Sequence, residues 1–192
     1  MTRKQVVGFA VVVVLLAAAF VVQAVRAGGD PESAELVGLR ERAALAACPP
    51  GLSAELPDLE LACLGGGPAV RMQATGTGRP TLVNAWGSWC DPCKREIPEL
   101  VQLATRATGK VDVVGVLTQD DLDKGLDFAV AAGMRYPSLV DDDGAFFRTY
   151  SAGPPVTVFL AADGRVAHVE RGEIASLQEM LDLVKTHLGV TV

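Results

Sequence analysis

The stretch Thr81-Leu-Val-Asn-Ala-Trp86-Gly-Ser-Trp-Cys90-Asp-Pro-Cys93-Lys-Arg-Glu96-Ile-Pro98 constrains the fold more than any other part of this 192-residue chain. Thr81 to Trp86 reads as a buried strand, and Asp91 to Ala107 carries apolar residues at helical spacing. Two cysteines therefore fall where a buried strand hands over to a helix. A thiolate at a helix N-terminus meets unpaired backbone N–H groups and the positive end of the macrodipole, and both lower its pKa. The two-residue spacing sets Cys93 one turn further in, close enough to attack a mixed disulfide and close the ring. Cys90 is the candidate attacking thiol and Cys93 the candidate resolving thiol.

An inert disulfide or half of a zinc site would also use such a pair. Zinc usually takes two pairs, and Cys48 and Cys63 stand 15 apart with no second CxxC and no paired histidine, so no metal is assigned. Cys48 closes the predicted N-terminal helix and Cys63 ends the first predicted strand. A bridge between them would be a structural disulfide stapling the extension to the domain. The alternative is a second redox pair relaying electrons to Cys93. His168 and His187 have no partner pattern and read as structural or solvated.

The other strong signal is at the N-terminus. Val6 to Val22 is an unbroken apolar run, preceded by Arg3 and Lys4 and followed by Arg26. Extended to Val25, it reaches about 20 positions, enough for a hydrocarbon core of ~30 Å. The positive-inside rule holds the Arg3–Lys4 end in the cytoplasm, which places the remainder outside the cytoplasmic membrane as a single-pass protein. Cleavage after the weak Val22-Gln23-Ala24 site would release a secreted form with the same topology. Beyond Arg26 the chain holds 14 basic and 23 acidic residues, a balance that argues against a nucleic-acid partner. In an extracytoplasmic setting, four cysteines read more readily as disulfide or redox chemistry than in the cytosol.

The expected organisation is residues 1–26 as anchor or signal sequence, 27–58 as linker and helical extension, and 59–192 as the main domain. Ser33 to Ala47 reads as a helix ending before Pro49-Pro50, and Leu59–Cys63 with Ala69–Met72 as a hairpin. Strand Val111–Leu117 and helix Leu122–Ala132 continue the alternation begun at Thr81, which describes a parallel βαβ unit. Tyr136 to Val140 is a short extended segment before the Asp141–Gly144 turn. Val156–Leu160 and Val166–Glu170 form a hairpin, and a helix over Leu177–Leu188 opens with a Ser176/Glu179 capping box. The expected class is α/β: a mixed sheet of four or five strands with helices on both faces.

The motif WxxWCxPCxxExP at a strand-to-helix junction resembles the membrane-anchored extracytoplasmic thioredoxin-like proteins of the TlpA/ResA/CcmG type, over about residues 59–189. The resemblance implies a thioredoxin-like fold and a protein thiol–disulfide oxidoreductase whose redox centre is the Cys90–Cys93 disulfide, with no other cofactor. It aligns Pro154-Pro155-Val156-Thr157 with the family's cis-proline loop, with Pro155 as the cis-proline and Val156 departing from the usual threonine. Glu96 matches an acidic site residue that tunes thiol acidity; the plainer reading is an ordinary first-turn acid. Asn84 stands where cytoplasmic thioredoxins keep a buried Asp, and Pro98 matches the kinking proline of the same helix. Trp89, Asp91 and Pro92 are supporting residues, Trp89 at the rim where a partner could touch it and Trp86 in the core. The implied partners are exported proteins with disulfides, apocytochrome c foremost, and a CcdA/DsbD-like membrane electron donor. The Asp91 charge should oppose the thiolate and make the couple reducing. The alternatives are an oxidative folding catalyst of the DsbA type, and a non-catalytic client- or copper-binding module.

Overall fold

The computed structural model describes residues 33–76 and 78–192. The apolar run at 6–22 and the linker to residue 32 lie outside the described residues. Among the described residues, no helix is long and apolar enough to cross a membrane.

The elements in chain order are α1 (Ala34–Ala43), β1 (Glu60–Cys63), β2 (Val70–Arg71), β3 (Thr81–Trp86), α2 (Asp91–Arg106), β4 (Asp112–Thr118), α3 (Leu122–Ala132), β5 (Ser138–Asp141), α4 (Ala145–Tyr150), β6 (Val156–Leu160), β7 (Val166–Arg171) and α5 (Leu177–Leu188). Among the described residues the sheet has seven strands in the order β2-β1-β5-β4-β3-β6-β7, which corrects the expected four or five. The count differs because the β1–β2 hairpin does not stand apart. Ala62 and Cys63 pair antiparallel with Val140 and Leu139 of β5, carrying the hairpin into the main sheet. The β3–β4 and β4–β5 pairs are parallel, and β6 and β7 return antiparallel on the other side of β3.

Every residue of β3 is buried, as a central strand covered on both faces requires. Leu82 and Trp86 join a core layer with Ile97, Leu100 and Leu103 of α2, Leu126 of α3 and Met180 of α5. Val83 and Ala85 face the opposite layer, with Phe146 and Phe147 of α4 and with Leu52 and Leu56 from the segment before β1. Leu39 and Ala43 of α1 also enter the first layer. Residues 35–192 thus form one compact unit in which the stretch before β1 supplies core side chains. Gly115 in β4 answers a close approach: a Cβ there would lie 2.6 Å from Ser138 Oγ and 2.7 Å from Trp86 Nε1, the two atoms that hydrogen-bond each other at 3.1 Å.

Several boundaries move for tertiary reasons. The first helix stops at Ala43 instead of Ala47, with Ala44 in the left-handed region at φ 45°. Just beyond it, Ala46 N–H donates to the Arg135 carbonyl (2.8 Å) and Arg135 donates back to the Ala43 carbonyl (2.9 Å), drawing the chain towards β5. The extended segment expected at Tyr136–Val140 forms β5 only over Ser138–Asp141, with the Pro137 carbonyl just before it accepting from Gly115 N–H (2.8 Å). Helix α4 follows the expected Asp141–Gly144 turn where the sequence carries no element assignment, since six residues have too little periodicity to register. Its start is fixed by Asp141, whose carboxylate accepts from Ala145 N–H (2.9 Å) and Phe146 N–H (3.0 Å). At α5, Ser176 Oγ caps Glu179 N–H as expected of a capping box, but the Glu179 carboxylate returns to Ala175 N–H instead of to Ser176.

Cys48 and Cys63 are joined by a disulfide, with S–S 2.01 Å and Cα–Cα 6.0 Å. It closes a 15-residue loop between the chain after α1 and the end of β1. In the chain-entropy account such a loop stabilises by about 3 kcal/mol. A Cys48→Ser/Cys63→Ser variant should therefore fold to the same circular-dichroism spectrum with a lower urea midpoint. An unchanged midpoint would show that the bond does no stabilising work.

Candidate active site

The site grows out of the end of β3. Trp86 pairs with Leu117 of β4, so the turn after β3 and the turn after β4 emerge side by side at one end of the sheet. Gly87-Ser88-Trp89 crosses that end, and Cys90 N–H donates to the Gly87 carbonyl (3.1 Å) to close the turn. Asp120, just past β4, accepts from Ser88 N–H, and Trp89 Nε1 donates to the Gln119 carbonyl (3.0 Å). Gly87 is required by this arrangement, since a Cβ there would sit 2.7 Å from Trp89 Nε1. Gln119 and Asp120 were missed in the sequence. No spacing rule joins positions 30 apart, although the parallel βαβ pattern could have placed the residues after β4 beside those after β3.

Cys90 is the N-cap of α2, in extended backbone at φ −88°, ψ 105°, and its Sγ accepts from Cys93 N–H at 3.3 Å. The two sulfurs form a disulfide of 2.05 Å with a Cα–Cα distance of 5.2 Å. Asp91 and Pro92 follow in the first turn, where the N–H that proline lacks would have had no helical partner in any case. Cys93 is fully buried and Cys90 is 3% exposed, so attack on the pair is confined to the Cys90 side. On that side the Pro154 carbonyl lies 3.6 Å from Cys90 Sγ, and the Pro154–Pro155 peptide bond is cis. Trp89 stands at the rim with half its surface exposed, whereas Trp86 is buried. Asp91 is exposed and its carboxylate is 3.1 Å from Lys94 Nζ, a solvent-facing pair.

Glu96 is a different kind of acid from the solvated first-turn residue of the plainer reading. It lies three residues after Cys93, on the same face of α2, and is fully buried. Asn84 Nδ2 donates to one carboxylate oxygen (2.9 Å) and to Thr157 Oγ1 (2.9 Å), and Ile174 N–H donates to the other oxygen (3.1 Å). No cation pairs with Glu96 among the described residues. Burial pushes its carboxyl up to about 7, against the lowering effect of the two donors, and Glu173 and Glu170 add to the rise. Pro98 lies within the same helix two residues on, where its missing N–H removes one helical hydrogen bond.

His168 on β7 and His187 near the end of α5 stack face to face, with ring centroids 3.9 Å apart and planes 4° apart. His168 Nε2 is 3.0 Å from a Glu170 carboxylate oxygen. The pair joins the edge strand to the last helix. Among the described residues, no group of three metal-ligating side chains is brought together.

The model of the redoxin family matches residues 52–182. The chain is similar to the thiol-disulfide oxidoreductase ResA of Bacillus anthracis, 32% identical over 98 residues that make up 50% of this chain and 57% of the relative. It is also similar to the soluble secreted antigen MPT53 of Mycobacterium tuberculosis, 31% identical over 54% of this chain and 60% of the relative. The match thus spans less than two thirds of each of these curated relatives. Among solved structures, MTB dsbF in its mixed oxidised and reduced forms superposes with a TM-score of 0.61 at 25% identity, over 70% of this chain and 98% of that one. The fold is thioredoxin-like.

An acid whose folded pKa exceeds its unfolded value binds more protons in the native state, so stability falls as pH rises. For Glu96 the window runs from its ordinary 4.5 to about 7. At about 1.4 kcal/mol per pK unit, the loss across that window is roughly 3 kcal/mol. Urea unfolding at pH 4.5 and pH 7.5 should show this loss in the parent protein and a clearly smaller one in Glu96→Gln. Equal losses in both would mean that Glu96 is not the titrating group.

Proposed function

The chain belongs to the redoxin family, and on that footing we propose that it is a thiol–disulfide oxidoreductase acting on exported proteins outside the cytoplasm. The observation that carries the reading is the Cys90–Cys93 disulfide at the N-cap of α2, with Cys90, 3% exposed, beside the Pro154–Pro155 loop and Cys93 sealed behind it. In the reducing direction the Cys90 thiolate attacks a client disulfide, forming a mixed disulfide and releasing one client thiolate. Cys93, deprotonated, then attacks Cys90 Sγ and releases the second client thiolate. The client gains two electrons and the protein is left as the Cys90–Cys93 disulfide.

Glu96 is placed to serve the second step. It sits one turn of α2 beyond Cys93, and with its carboxyl raised to about 7 an ionised fraction is present near neutrality that can accept the proton Cys93 must shed before attacking. Once ionised and without a cationic partner, its charge disfavours a neighbouring thiolate and so disfavours the reduced form. This supports a reductant, with buried Glu96 adding to the electrostatic argument made for exposed Asp91. Reduction of apocytochrome c cysteines and recharging by a CcdA/DsbD-like membrane donor are the client and the electron source we propose. The positively flanked apolar run at 6–22 supports placement on the outer side of the cytoplasmic membrane, anchored or released.

One feature favours the opposite poise: Cys93 N–H donates to Cys90 Sγ, which stabilises a Cys90 thiolate and with it the reduced, oxidant-type form. Redox titration against glutathione separates the two. A potential of about −270 mV, at the thioredoxin end of the scale, is expected; a value above about −170 mV would make the protein an oxidase. A Cys93→Ser variant should accumulate covalent adducts with client proteins through Cys90. Absence of adducts with any disulfide-bearing client would reduce the protein to a non-catalytic binding module.

A further inference from the structure

Glu96 is held from outside its own helix by the short connection 172–176 between β7 and α5. Three consecutive residues of that connection each make one contact with the site. Gly172 N–H donates to the Pro155 carbonyl (3.0 Å), in the loop that lies beside Cys90. Ile174 N–H donates to Glu96 Oε1 (3.1 Å). Between them, Glu173 meets Arg95 of α2 in a forked ion pair, with Arg95 Nε 3.0 Å from both carboxylate oxygens and Nη2 donating to Oε2. Arg95 stands two residues after Cys93 and one before Glu96. The connection thus ties together the helix that carries the thiols, the buried carboxyl and the Pro154–Pro155 loop.

Arg95 is exposed, and an exposed ion pair adds little to stability. What this one supplies is direction, because a planar guanidinium that meets both carboxylate oxygens fixes orientation as well as contact. The peptide unit between Glu173 and Ile174 carries the N–H that reaches Glu96. Ile174 is fully buried and holds that unit at one end, and Arg95 holds it at the other through Glu173. Arg95 also keeps the Glu173 carboxyl below its usual range, so Glu173 stays charged where Glu96 titrates. Two opposed influences therefore reach Glu96 through one residue pair: the amide lowers its pKa and the Glu173 charge raises it. Among the described residues, the other titratable groups facing Glu96 are Cys93 on its own helix, Glu170 on β7 and Tyr136 ahead of β5. β3 contributes neutral Asn84, itself bonded to Thr157 of β6, and α5 buries only Met180 and Val184.

We propose that Arg95 and Glu173 are positioning residues for the thiol chemistry: their ion pair sets the 173–174 peptide against Glu96, and with it the readiness of Glu96 to take the Cys93 proton. The proposal rests on the thiol–disulfide reading and deepens it.

Two substitutions pull in opposite directions. Arg95→Met frees the peptide and leaves the Glu173 charge unopposed, and both effects raise the pH at which Glu96 ionises. Glu173→Gln removes that charge while its amide oxygen can still accept from Arg95, which lowers it. The full chain, held in detergent micelles and labelled with 13C at the glutamate carboxyl carbons, gives the Glu96 midpoint by NMR in the disulfide form. Loss of one resonance in Glu96→Gln identifies the signal. The midpoint should move up in Arg95→Met and down in Glu173→Gln, by about half a pH unit each. For the thiol step, reduced protein is mixed with excess oxidised glutathione and acid-quenched, and the Cys90–glutathione mixed disulfide is counted by mass. Its decay reports Cys93 giving its proton to Glu96 and displacing the glutathione thiolate from Cys90 Sγ. At pH 6, below the Glu96 midpoint of about 7, decay should be about threefold slower in Arg95→Met and about threefold faster in Glu173→Gln. General loosening of the fold would move both variants the same way. Shifts of one sign, or no shift in either variant, overturn the proposal. Opposed NMR shifts with unchanged decay overturn the link from the ion pair to Cys93. Absence of any mixed disulfide in the parent protein overturns the thiol–disulfide reading instead, and the NMR midpoints still decide whether the pair acts on Glu96.

Discussion

The fixed register between β3 and β4 is the constraint on which the site depends. With every residue of β3 buried and each one opposite a β4 residue from Thr81 to Trp86, neither strand can slip by one residue without exchanging the side chains of the two core layers. The exits of the two strands are locked together. Asp120 and Gln119 from one exit therefore grip Ser88 and Trp89 from the other, and the turn can deliver Cys90 to the helix N-cap in extended backbone. The reactive sulfur is positioned by the sheet, with the helix supplying its electrostatics.

Behind the sulfurs the protein has buried a carboxyl without a counter-ion and given it neutral donors instead. A cation at Glu96 would have held it ionised at all working pH values. Asn84 and the Ile174 amide lower its pKa only partly, and burial dominates. That balance leaves a carboxyl that changes its protonation near neutrality one turn of α2 from a buried cysteine. Asn84 bridges Glu96 to Thr157 on β6, so the strand that leads out of the Pro154–Pro155 loop is tied to the same carboxyl.

Much of this was legible in the sequence because it is local. The strand Thr81–Trp86, the helix beginning at Asp91 and the helix Leu122–Ala132 were read with their boundaries nearly intact, since burial and helical period are properties of consecutive residues. The burial of Glu96 was not legible, because its partners Asn84 and Ile174 come from elements 12 and 78 positions away. Nor was the seven-stranded sheet, because a hairpin's composition does not say which strand it will join. Helix α4 escaped for a third reason: it is fixed by the Asp141 carboxylate and by two buried phenylalanines, with too few turns to show a period.

The ends of the sheet carry a consequence for how such a protein keeps company. β2, on one edge, pairs only two residues, and β7, on the other, sets His168, Glu170 and Arg171 among its six. An open, apolar edge would recruit any extended chain as an extra strand. On the proposed role, polypeptide clients engaged at one cysteine have to leave again, and blunt, charged margins deny them the backbone ladder on which they would otherwise stay.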